Sequence, residues 1–144
     1  MKQITVGFCP PKSWTSKIIA WRTRSQYSHA EIIFGDAIYS SEPWCVKRFE
    51  NTPEHLSKYL TTITIQVTDD QFRLAKKYCE LEVGELYDIF GAIGWLLRAK
   101  TFNSELKFCF ELVWNSLSFA RLLDPTRDLI NAEQLIHALE GLKK

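Results

Sequence analysis

Covalent chemistry in this chain would fall to four cysteines, Cys9, Cys45, Cys79 and Cys109, with a basic partner drawn from His29, His55 and His137. A cysteine becomes a nucleophile when its thiol sheds the proton. The first turn of a helix promotes that loss through its free amides and its dipole. In KFCFELVWNSLSFARLL, Phe108, Leu112, Val113 and Leu117 lie near helical spacing. With the polar stretch TFNSELK read as the preceding loop, this predicts a helix that carries Cys109 at or next to its first turn. Cys9 and Cys45 stand in strand contexts, and Cys79 lies deep in a helical run. No two cysteines have C-x-x-C spacing, which argues against a zinc ribbon or a thioredoxin-like site. No metal and no cofactor is expected.

A thiolate needs a base or an ion-pair partner. His55 falls in a short polar helix and His137 in the last helix, both without chemical company in the sequence. His29 opens a β-rich run and is followed two residues later by Glu31. Period two puts both on one face of a strand, roughly 6–7 Å apart at the backbone. Glu31 is therefore a candidate to hold the imidazole. If Gly35-Asp36 closes a hairpin, the returning residues Ser40, Ser41 and Glu42 run beside His29. All three are polar and spacing does not choose among them; Ser41 and Glu42 are carried forward as the possible third polar residue. Tyr87 enters the segment before the Cys109 loop and could line the site.

The elements that must position these residues follow from local signals. Gln3–Phe8 reads as a strand stopped by Pro10 and Pro11. Ser13 can cap a helix carrying Trp14, Ile18, Ile19 and Trp21. Tyr27–Phe34 and Ala37–Ser41 form the hairpin, and Cys45–Phe49 pairs beyond it. Thr52-Pro53 opens a short helix. Thr61–Val67 alternates β-branched residues as a strand. Thr68 and Gln71 form a capping box for the next helix, which Gly84 ends, and Ile89–Leu97 is largely apolar. Asn131 and Gln134 can cap the last helix. The content is α+β, an antiparallel meander with helices on one or both sides, in a single domain over residues 1–144.

Composition narrows the function classes. Apolar residues make up 46% and charged residues 24% of the 144, which suits a globular chain with a core of its own. Eighteen basic residues oppose seventeen acidic ones, so there is no electrostatic footprint for nucleic acid. The N-terminus lacks a signal-peptide h-region, and the Ile89–Leu97 segment is too short to span a bilayer. The expectation is a cytoplasmic protein with free thiols and no stable membrane insertion, in the host cytoplasm if the chain is phage-encoded.

The ordered set WTSKIIAWRTRS, YSHAEIIF, AIYSSEP, ELYD, FCFELV and DLINAEQLI resembles the circularly permuted branch of the NlpC-type papain-like superfamily. That branch holds the YiiX-like proteins, phage and prophage relatives and, more distantly, the lecithin retinol acyltransferases. The likeness runs over nearly the whole chain. It implies a permuted papain-like fold, an antiparallel sheet or barrel packed against helices, with the nucleophile at a helix N-terminus. It implies Cys109 as nucleophile and His29 as base, matches Glu31 to the Glu of the phage-like subset, and matches Tyr87 and Asp88 to the "YD" before the Cys helix. Phe110 stands where the motif usually has Ser. The implied activity is that of a cysteine amidase or peptidase acting on a peptide or acyl-amide substrate, of cell-wall or isopeptide type, through a thioacyl enzyme. Two alternatives accompany it: a catalytically silent module of a phage or prophage, and a lipid acyltransferase or thioesterase using Trp14, Trp21, Trp95 and Leu96 as a lipid-facing surface.

Overall fold

The computed structural model describes residues 1–10, 26–41, 45–84, 104–125 and 130–143, without the side chains of 104–108. The helix expected from Ser13, the Ile89–Leu97 segment, and the candidates Glu42, Tyr87 and Asp88 lie outside these residues. So do Trp14, Trp21, Trp95 and Leu96.

Five strands follow the β-branched runs: β1 Lys2–Cys9, β2 His29–Phe34, β3 Ala37–Ser41, β4 Val46–Glu50 and β5 Thr61–Val67. Gly35 makes the β2–β3 turn with φ +57°, a left-handed conformation that glycine adopts at little cost. Among the described residues the four strand ladders are antiparallel, in the order β4-β3-β2-β1-β5. The first four strands are the expected meander. β5 departs from it by returning to β1, which leaves β1 and β2 inside the sheet, where the candidate base sits.

Four helices complete the described elements: α1 Pro53–Leu56, α2 Asp69–Glu82, α3 Ser104–Phe119 and α4 Ala132–Leu142. Three have the caps their sequences announce. Thr52 accepts from His55 N at the start of α1, and both Thr68/Gln71 and Asn131/Gln134 form reciprocal capping boxes. One face of the sheet presents Ile4, Val6, Phe8, Ala30, Ile32 and Phe34 to Cys79 of α2, Val113 and Leu117 of α3, and Leu135 and Leu139 of α4, all in one buried cluster. Each large apolar side chain so buried stabilises by about 1.5–3 kcal/mol. Phe34 meets Tyr39 and Phe72 edge-on, with ring centres 5.8 and 5.3 Å apart.

The opposite face carries Gly7, Cys9, His29, Glu31 and Ser40, as strand alternation and the register require. α1 and the turn after it cover part of that face. Leu60 N donates to Phe8 O at 2.9 Å. The Tyr59 ring lies against Gly7 so closely that a Cβ there would stand 2.6 Å from ring carbons. Among the described residues no helix is long and apolar enough to cross a membrane.

Candidate functional site

His29 is the first residue of β2 and stands directly opposite Cys9, the last residue of β1. Its ring Nε2 is 2.8 Å from the hydroxyl oxygen of Ser40, which has no exposed surface. Ser40 faces Glu31 across the β2–β3 ladder, so the hydroxyl reaches His29 along the diagonal. Ser41 follows on the other face of β3 and is buried. Spacing left Ser40, Ser41 and Glu42 open and Ser41 and Glu42 were favoured; the structure gives His29 the Ser40 hydroxyl. The side on which a strand residue emerges depends on register, and a one-residue difference reverses it.

Glu31 does not orient His29, contrary to the expectation from their spacing. It has no exposed surface, and its hydrogen bonds all go to the segment after β4. Lys58 Nζ donates to Oε1 at 2.6 Å, His55 Nε2 lies 3.0 and 3.2 Å from the two oxygens, and the Tyr59 hydroxyl donates to Oε2 at 3.3 Å. A shared face is necessary for the His29–Glu31 contact but does not secure it. A buried carboxylate needs several donors, and a cation with two further groups from α1 and its turn outcompetes one imidazole on the same strand. His55 thus has company that the sequence conceals, since its partner is 24 residues away. Its only local signal is the Thr52-Pro53 helix start, which places it in the covering turn.

Cys109 sits on α3, but not at its start. The described helix runs Ser104–Phe119 and Cys109 is the sixth of its residues. The stretch read as a polar loop supplies the first turns, because Glu105, Leu106 and Lys107 are good helix formers and Ser104 suits a helix start. Cys109 is 1% exposed. Burial pushes its thiol up to about 12, against the favourable backbone N–H groups of Ala30, Phe110 and Cys109 itself. The expected depression of the thiol is therefore reversed in direction. The Phe110 ring points into the core. The residue in the place of the motif's Ser is thus a packing residue.

The link between the two candidates is Ala30. It follows His29 in β2, its side chain lies in the same core cluster as Cys109, and its backbone is among the groups that counter the burial of the Cys109 thiol. The Cys9 thiol, opposite His29, bears electrostatically on Cys109 and on Tyr59 as well. His29 and Cys9 thus face each other at one end of the β1–β2 pair, on the sheet face opposite the α3 core that holds Cys109. None of the four cysteines is in a disulfide. Cys79 is buried between α2 and α3, with its thiol raised to about 12 by burial, and serves packing. His137 remains apart on α4. Among the described residues no three His, Cys, Asp or Glu side chains could hold a metal ion. A scan against family models and a search of the curated proteins found no match to the chain.

Proposed function

We propose that this protein is a cysteine-dependent amidase or peptidase of permuted papain-like fold, with Cys109 as nucleophile and His29 as general base. The observation that carries the reading is that Ala30, the residue after His29 in β2, packs in the same core cluster as Cys109. The Ser40 contact supports it, because a base held at one ring nitrogen presents the other in a fixed direction.

The raised thiol sets the order of events. Burial favours the neutral Cys109 thiol over the thiolate. With Nε2–H donating to Ser40, Nδ1 of His29 takes the thiol proton as sulfur attacks the carbonyl carbon. The C–N bond breaks, the amine leaves with the proton from His29, and a thioacyl enzyme remains. Water then attacks the thioester, His29 accepts its proton and returns it to sulfur, and the acid departs. The substrate is an amide of cell-wall peptide or isopeptide type.

The burial of Cys109 favours a second reading, a binding module that keeps the fold without turnover. One experiment separates the two. The protein is treated with a cysteine-directed acyl probe and the labelled peptide mapped. Acylation at Cys109 that is lost in His29→Ala supports the enzyme. A chain that stays unlabelled at Cys109, or labels equally without His29, is the module.

A further inference from the structure

Lys58 lies where a bound ammonium ion would lie. Its Nζ is 2.6 Å from Glu31 Oε1. It stands over two aromatic rings, 5.9 Å from the centre of Phe49 and 5.8 Å from that of Tyr59. His55 closes a third side, its ring centre 5.1 Å from that of Phe49 and 6.1 Å from that of Tyr59. Aromatic faces attract a cation through the ring quadrupole at separations of about 6 Å, and cages of such rings bind quaternary ammonium groups and methylated lysine. Here a fully buried carboxylate adds a counter-charge at the floor.

The walls come from separate elements: Phe49 from β4, His55 from α1, and Tyr59 from the turn after it, seated on Gly7. The Lys58 side chain is 27% exposed while that of Glu31 is 0%, so the lysine stem enters from solvent and its head reaches inward. Rotation of that stem would empty the cage with the backbone in place, leaving Glu31 with His55 and Tyr59 as donors.

We propose that Phe49, His55 and Tyr59 over Glu31 form a subsite for organic ammonium groups, primary or methylated, and that Lys58 is its internal surrogate, displaced when such a ligand enters. Glu31 shares a sheet face with His29, roughly 6–7 Å along the strand, and faces the Ser40 that holds the imidazole. A substrate with its carbonyl at His29 would place an amine in the cage. Assignment of the ligand as substrate rests on the reading of His29 as base; ammonium binding does not.

The test uses the full chain carrying Lys58→Ala or Lys58→Gln, the latter keeping a neutral donor towards Glu31 so that folding is preserved if alanine abolishes it. Thermal unfolding is followed in propylammonium or tetramethylammonium chloride, in sodium chloride at matched ionic strength, and in propanol. The expected result is a Tm that rises with the logarithm of amine concentration in the Lys58 variants and does not respond to the salt or the alcohol. The native protein should respond more weakly, because a tethered lysine competes at high effective concentration. Adding Phe49→Leu should remove the response. Absence of an amine-specific shift in both Lys58 variants, or an undiminished shift with Phe49→Leu, overturns the proposal. Loss of amine binding with Cys109 still acylated leaves the amidase standing, and amine binding without acylation leaves a cage without that reaction.

Discussion

The Ser40 hydroxyl fixes the His29 ring from one side by a 2.8 Å contact. In the proposed mechanism the Cys109 thiol, whose proton burial holds, passes that proton to the same ring. Ser40→Ala should therefore lower the rate of Cys109 acylation by about tenfold, the equivalent of one hydrogen bond, with folding retained; unchanged acylation kinetics would remove Ser40 from the site. The thiol makes its own prediction. A group raised from 9.0 to about 12 carries little thiolate at neutral pH. Its reaction with iodoacetamide should climb about tenfold per pH unit and continue to climb beyond the point where a free thiol, with a pKa near 8.5, levels off. Peptide-resolved labelling rates against pH measure this. A plateau at mildly acidic pH would instead mark a thiolate already paired with His29. His29 and Cys109 stand out as candidates from residue types and context alone. The choice of Ser40, and the loss of Glu31 to Lys58 and His55, were not legible in the sequence, because each depends on what the opposite strand and the covering turn bring.

Among the elements, α1 and its turn do the most to shape the face that carries His29. Their anchors are Leu60 N on Phe8 O, Tyr59 on Gly7 and Lys58 on Glu31. Gly7 is the tightest of these, since a methyl group there would stand 2.6 Å from Cδ1 and Cε1 and 2.7 Å from Cγ of Tyr59. Gly7→Ala should destabilise by about 1–3 kcal/mol through overpacking. The cost should shrink when Tyr59 is also alanine, because the clash is then gone. A double-mutant cycle in urea reads the coupling; additive costs would mean that the turn is held by something other than this contact. The strands and caps of these elements were visible in the sequence. Thr61–Val67 alternates along its length, and both capping boxes are spaced as local hydrogen bonding requires. The start of α3 was not visible in the same way. SELK suits a helix as well as a polar loop, and its placement follows from where α3 meets β2 and the core.

Over the whole molecule, the helix-side core buries two thiols and a phenol that all hold their protons unusually tightly. Cys79 and Cys109 rise from 9.0 to about 12 and Tyr39 from 10.0 to about 12, with burial the largest cause for each. For an acid whose folded pKa is raised, the unfolded chain releases its proton first. Stability is thus fully present below pH 9 and is lost as pH rises from 9 towards 12. The urea midpoint should be flat on the acid side of that window and fall through it. Cys79→Ala should cost about 1 kcal/mol near neutral pH, for a small cavity, yet give a shallower alkaline decline; an unchanged slope would show that Cys79 does not titrate with unfolding. By itself the sequence determined what neighbours along the chain can decide: the strands from alternation, the hairpin turn from Gly35-Asp36, and the caps from side chains three residues apart; it also singled out His29 and Cys109 as candidates for chemistry. Only the tertiary structure decided which groups meet. β5 returning to β1 and the α1 turn crossing the sheet bring Lys58, His55 and Tyr59 to Glu31, while register brings Ser40 to His29. The physical reason is that a local hydrogen bond is specified by spacing along one segment, whereas a buried charge takes its partners from whatever the packing of distant segments supplies.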